Sequence, residues 1–124
     1  MNDAPIGVYD SGLGGLTVWR EVRRMLPSES LVYLGDGKNC PYGSRPREEV
    51  RRLADEAVAS LVAQGCKMVV VACNTATAAA IDFLRVRIPE RAPRTEKRRI
   101  LPYELLPCAV ECGCQGQHLR KTHR

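Results

Sequence analysis

Three polar clusters in this chain are of types that could do chemistry, and the sharpest is Cys73-Asn74-Thr75. It follows the unbroken apolar run Met68-Val69-Val70-Val71-Ala72 and precedes a run of strong helix formers, Ala76-Thr77-Ala78-Ala79-Ala80-Ile81. A cysteine between the carboxyl end of a strand and the start of a helix meets exposed amides and a positive dipole end. Both favour anions there, a thiolate included. The competing reading is a buried structural cysteine, since a free thiol packs as a small hydrophobe. The second cluster is Asp10-Ser11, opening the loop Asp10-Ser11-Gly12-Leu13-Gly14-Gly15. It lacks the Gly-Lys-Ser/Thr of a phosphate loop, and its glycines miss the dinucleotide spacing. Asp10 would also repel phosphates. An acid at that position suits an ammonium group or proton chemistry beside a thiol, unless Asp10 and Ser11 merely cap the next helix. The third is Tyr42, placed between Pro41 and Gly43 on a loop, where core packing is not expected of it. Its phenol and the neighbouring amides suit a small polar ligand; Cys40 beside it reads as incidental.

The elements that must position these residues are legible as a repeating order. Pro5-Ile6-Gly7-Val8-Tyr9 reads as a first strand, and a helix follows over about 16–25. Leu16, Trp19, Val22 and Leu26 are its expected apolar stripe, and Pro27 ends it. Leu31-Val32-Tyr33-Leu34 reads as a second strand, then a long turn-rich loop runs to Arg45. A second helix starts near Pro46, with Glu48 and Glu49 suiting its dipole and Gly65 stopping it. Its stripe is Val50, Leu53, Ala54, Ala57, Leu61 and Val62. The apolar run of β-branched residues is the third strand, buried on both faces. The helix after it reaches about Val86, with Asn74 and Thr75 as its cap-type side chains. Strands alternating with helices predict an α/β fold, a three-layer arrangement around a parallel sheet with right-handed crossovers. All three clusters then fall on one carboxyl edge of the sheet, where open α/β sheets bind ligands.

Length and charge bound the rest. The 124 residues suit one domain with a real core. No apolar run approaches a membrane span, and the first residues lack a signal peptide's regions. The cytoplasm is therefore the expected location, and the six cysteines are expected to be mostly free thiols. The net charge of +5 is unevenly placed: residues 1–89 hold 11 of the 19 Lys/Arg and 10 of the 14 Asp/Glu. Basicity thus belongs to 90–124, a stretch broken by Pro102 and Pro107 and without apolar periodicity. The reading divides the chain into an α/β domain over 1–89 and a basic, Cys- and Pro-containing tail over 90–124, expected to be irregular and disordered. Cys108, Cys112, Cys114, His118 and His123 are too irregularly spaced for a zinc site. The basic residues do not form a nucleic-acid face either, so neither a metal nor a nucleic-acid partner is expected.

Three motifs carry a resemblance. They are Ile6-Gly7-Val8-Tyr9-Asp10-Ser11-Gly12-Leu13-Gly14-Gly15-Leu16-Thr17, then Tyr33-Leu34-Gly35-Asp36 with Pro41-Tyr42-Gly43, and Val71-Ala72-Cys73-Asn74-Thr75-Ala76-Thr77-Ala78. In this order and spacing, the chain resembles the N-terminal half of bacterial glutamate racemase, within the aspartate/glutamate racemase family, from about Pro5 to Pro89. The resemblance implies one half of a two-domain enzyme that interconverts L- and D-glutamate by cysteine acid/base proton transfer. It implies no cofactor, a small-molecule substrate and a supply of D-glutamate for peptidoglycan; the absence of a membrane or nucleic-acid partner is expected from the hydropathy and charge above, and a homo-oligomer stays open. It implies that Cys73 and Asp10 are catalytic, and that Asp10, Ser11, Tyr42, Gly43, Asn74 and Thr75 contact substrate. The family's second cysteine, followed by Thr-His, has no counterpart: Lys121 precedes Thr122-His123. A frameshift or truncation after about residue 89 is the expectation, and with it little or no activity in this chain alone. The alternatives are an inactive remnant or ligand-binding module, and a racemase of a related acidic amino acid such as aspartate.

Overall fold

The computed structural model describes residues 3–91 and 99–102. Strand and helix alternate as β1 (Ile6–Asp10), α1 (Leu16–Met25), β2 (Leu31–Gly35), α2 (Arg47–Ala63), β3 (Met68–Val71), α3 (Asn74–Arg91) and β4 (Arg99–Pro102), with a short 3-10 turn at Gly37–Asn39. The sheet order is β2-β1-β3-β4, and every pairing is parallel. The α/β architecture read from the sequence is thus present. Two expectations change. The third helix continues past Val86 to Arg91, and β4 forms within the stretch expected to hold no ordered element. Pairing with β3, whose open edge would otherwise leave backbone groups unmatched, is the physical reason for a strand there. Pro102 sits at the end of this outer strand, where a missing N–H is tolerated. The rest of the tail, its cysteines and histidines included, lies outside the described residues.

Period-two alternation sorts the strand side chains between two layers of helix. Ile6, Val8, Val70 and Ala72 face α1 and pack with Val18 and Val22. Tyr9, Val69 and Val71 face α2 and α3, and pack with Val50, Leu53, Val58, Leu61, Ala80 and Leu84 among others. The stripe expected on α2 is buried apart from Val62, which is half-buried, and Val58 joins it. The stripe expected on α1 is displaced: Val18 and Val22 are buried, Trp19 is half-buried, and Leu16 and Leu26 are 43% and 44% exposed. Among the described residues the short α1 covers this face, so one i,i+4 row meets the sheet, and Trp19 lies at its margin under the Arg23 guanidinium. Gly65, at φ +87°, supplies the left-handed turn that ends α2's approach to β3.

Tyr42 departs from the loop reading. Its ring is fully buried against Tyr9, with ring centroids 6.5 Å apart. Tyr9 Oη donates to Tyr42 Oη at 2.7 Å, and Tyr42 Oη donates to Asp36 Oδ2 at 2.6 Å. Burial, before all else, pushes both phenols well above their ordinary value. For Tyr9 the hydrogen bond to Tyr42 comes next, and for Tyr42 the hydrogen bond to Asp36 does. Both therefore stay protonated while the chain is folded.

Two tests follow from this packing. Leu61 is fully buried between α2 and the sheet, so Leu61→Ala should cost about 2–5 kcal/mol in urea unfolding. Leu13, 75% exposed, should cost less than about 0.5 kcal/mol on the same change; equal losses would contradict the assigned core. For the tyrosine pair, the unfolded chain releases its phenolic protons first as pH rises. Their contribution is complete below the ordinary value near 10 and is lost progressively above it. Tyrosinate absorbance should show part of the four tyrosines ionising only as circular dichroism is lost. Tyr42→Phe should lower stability by about 1–3 kcal/mol, because it leaves the buried Tyr9 hydroxyl without its acceptor and removes one of the donors to Asp36. Ordinary ionisation of all four in a folded chain would overturn this.

Candidate functional site

Parallel pairing puts the loops after β1, β2 and β3 on one edge, and each sequence cluster lies in one of them. Cys73 closes the third. It is the cap residue of α3, and its Sγ accepts a hydrogen bond from the Ala76 amide at 3.4 Å. The expected caps, Asn74 and Thr75, are instead the first helical residues. The Cys73 carbonyl accepts from the Thr77 amide at 2.9 Å and from Thr77 Oγ1 at 2.8 Å, which fixes the helix start. Ala72 N donates to Tyr9 O at 2.7 Å and binds this turn to β1. Cys73 as a residue is 5% exposed. It faces Ser11, whose Oγ lies 3.5 Å from Sγ. A hydroxyl can donate to a thiolate or accept from a thiol, so Ser11 suits either state.

Asp10 sits differently. Its carboxylate is buried and folds back on its own loop, with Oδ2 accepting from Gly15 N at 2.9 Å and Gly12 N at 3.3 Å. Both of these bonds hold the loop; neither reaches Cys73. Asp10 is thus not the cap of α1, a position that Gly15 holds; it is a buried acid that closes the loop leading to that helix. The loop has little room: a Cβ on Gly15 would lie 2.6 Å from Asp10 Cβ, and one on Gly35 would lie 2.5 Å from Gly12 O. Tyr33 Oη donates to Gly12 O at 2.6 Å and completes the closure.

The second loop hangs on Asp36. Its amide donates to Asp10 O at 3.0 Å, joining the first two loops. Its carboxylate accepts from Tyr42 Oη and from Asn39 Nδ2, the latter at 3.0 and 3.1 Å to the two oxygens. The Cys40–Pro41 peptide bond between them is cis. With its hydroxyl engaged on both sides, Tyr42 serves the site through the main chain that it anchors. Gly43, exposed, lines a depression of about 370 Å³ together with Asn74, Thr75, Arg45 and Arg47. Asn74 Oδ1 is buried there without a hydrogen-bond partner among the described residues.

The structure thus joins Cys73 to Ser11, and Gly43 to Asn74 and Thr75, while Asp10 and Tyr42 act on the loops that carry them. Sequence reasoning missed Tyr9, Asp36, Arg45 and Arg47. Tyr9 was hidden in a strand pattern, although strand alternation could have placed it beneath the second loop. Asp36 follows β2 as Asp10 ends β1, a parallel that could have flagged it.

No family-wide sequence profile matches the chain. Individual relatives do. A glutamate racemase of Roseiflexus sp. (strain RS-1) is 60% identical over 85 residues, which is 68% of this chain and 31% of that protein. Among solved structures, the glutamate racemase of Thermus thermophilus in complex with β-chloro-D-alanine has a TM-score of 0.70 at 44% identity. The match covers 81% of this chain and 36% of that one. The glutamate racemase of Francisella tularensis in complex with D-glutamate gives 0.71 at 33% identity, covering 82% and 36%. The chain spans about a third of the length of the curated relatives it matches. On sequence and fold together, this chain is similar to the N-terminal portion of glutamate racemases, over about a third of their length.

Proposed function

We propose that this chain carries one proton-transfer face of a cofactor-independent glutamate racemase. The observation that carries the reading is the position of Cys73 Sγ, held by the Ala76 amide beside Ser11 at the meeting of three loops. As a thiolate, Cys73 removes or returns the α-proton of glutamate. The α-hydrogen of an amino acid is a very weak acid, so a positioned base and donors aimed at the developing carbanion are the levers available. Amides at the start of α3 and at Gly43, with the side chains of Ser11, Asn74 and Thr75, bind the substrate. Asp10 contacts the substrate ammonium and assists proton transfer while holding the loop that carries Ser11. Tyr42 contributes by fixing Gly43. We assign the reaction to the cytoplasm, to the supply of D-glutamate for peptidoglycan.

Inverting a stereocentre needs a proton removed from one face and returned to the other. The family's second acid, a cysteine followed by Thr-His, has no counterpart in these 124 residues. A half-site also leaves the substrate open to water, which weakens every electrostatic contribution from the loops. A second reading is a module that binds an acidic amino acid without turning it over, supported by the single thiol, Cys73, that meets Ser11 among the described residues.

Incubation with L-glutamate in deuterated water, read by NMR and a chiral assay, separates these readings. The 124-residue chain should exchange the α-hydrogen slowly, with racemisation near background. Cys73→Ala should reduce exchange by at least about a hundredfold. Exchange that survives Cys73→Ala would sink the assignment of the base. Fast racemisation of both enantiomers, lost on Cys73→Ala, would refute the one-sided site. Binding without exchange would select the second reading. No helix among the described residues is long and apolar enough to cross a membrane, so the assay needs no lipid.

A further inference from the structure

We propose that Tyr9 is a positioning residue for the substrate site, holding the second loop, which carries Gly43, in register with the turn that carries Cys73. For what the site binds, the inference rests on the racemase reading. Residue 9 is bonded in both directions. Its carbonyl accepts from Ala72 N at 2.7 Å, one residue before Cys73. Its hydroxyl donates to Tyr42 Oη at 2.7 Å, one residue before Gly43. Tyr9, Tyr42 and Cys73 lie in one buried cluster, together with Val50 of α2 and Ala76 of α3.

The hydroxyl does more here than the ring does. A phenyl ring would fill the same volume without drying an oxygen, a cost that is offset when a hydrogen bond is made. The bond between Tyr42 and Asp36 is internal to the second loop, since both residues belong to it. Asp36 N donates to Asp10 O at 3.0 Å and fastens the beginning of the loop. The bond from Tyr9 to Tyr42 fastens its far side to β1. Arg45 N, donating to Tyr42 O at 3.0 Å, carries that hold past Gly43. Two neighbouring residues of β1 thus clamp the loop at both ends, and they set the opening between Gly43 and the Asn74–Thr75 start of α3. Burial keeps both phenols protonated, so the clamp persists through neutral pH. Cys73 has its own contacts, with Ser11 and the Ala76 amide, and neither involves Tyr9 Oη. Loss of that oxygen therefore loosens substrate binding and spares proton transfer in the bound state.

The test compares the full chain with Tyr9→Phe, which keeps the ring, and with Val22→Ala, a cavity in the other helical layer that controls for general destabilisation. Amide hydrogen exchange without substrate reads the loop directly. Tyr9→Phe should speed exchange of the Arg45 amide at least about fivefold, the equivalent of one hydrogen bond, while Val22→Ala leaves it unchanged. In α-hydrogen exchange of L-glutamate, Tyr9→Phe should raise KM at least about fivefold and hold kcat within about twofold. Tyr42→Phe removes the same link, so adding Tyr9→Phe to it should speed the Arg45 amide by less than about twofold. An Arg45 amide indifferent to Tyr9→Phe, a fall in kcat with KM unchanged, or additive effects of the two substitutions overturns the proposal. No glutamate exchange in wild type, with the Arg45 response intact, refutes the racemase reading and leaves the clamp standing. Glutamate exchange that depends on Cys73, with Arg45 and KM indifferent to Tyr9→Phe, does the reverse.

Discussion

The parallel pairing of β1 with both β2 and β3 is the constraint on which the rest of this molecule depends. The register sets Asp10 opposite Gly35 and Tyr9 opposite Val71, so three strands end at one level. Each loop then starts at the same edge, and residues far apart in sequence become neighbours. Ser11 and Cys73 are 62 positions apart and meet at 3.5 Å. A one-residue slip of β3 would exchange Val70 for Val71 between the two helical layers and turn Cys73 away from Ser11. Burial of β1 and β3 on both faces makes that slip costly, so packing and site geometry are enforced by the same contacts.

On this frame, polar side chains do the local positioning. Asp10 holds the first loop, Asp36 the second, and the Cys73 sulfur caps the helix that opens the third. Two carboxylates and a thiol thus take up backbone or phenolic donors that would otherwise be stranded near the sheet edge. These groups fold the site as well as line it. A residue of this kind does two jobs, and substitution removes both. Cys73 is the clearest case, since the Ala76 amide that orders α3 is also the donor that would meet a negative sulfur.

The strands, the helices and the location of the site were legible because hydrophobic period and turn chemistry report burial directly. Val50, Leu53, Ala54, Ala57 and Leu61 repeat at helical spacing and are all buried. The α1 stripe was misread because Leu16 and Leu26 are apolar without being covered; apolar character permits burial and does not compel it. Tyr42 was misread because its neighbours Pro41 and Gly43 mark a turn, whereas its partners Tyr9 and Asp36 come from other segments. β4 went unseen since Arg99, Ile100, Leu101 and Pro102 carry no alternation, and only the free edge of β3 gives them a reason to extend. In each case the missing information was a contact distant in sequence.

The central claim is that the start of α3 presents Cys73 as the reactive group of a glutamate-binding edge. Per-residue alkylation of the intact chain near neutral pH, followed by mass spectrometry with and without D-glutamate, tests it most directly. Exposed Cys40 provides the reference for an accessible thiol, and fully buried Cys66 the reference for an inert one. The account predicts that Cys73 labels faster than Cys66 and that D-glutamate slows Cys73 without affecting Cys40. Labelling of Cys73 no faster than Cys66, or indifferent to D-glutamate, would contradict it.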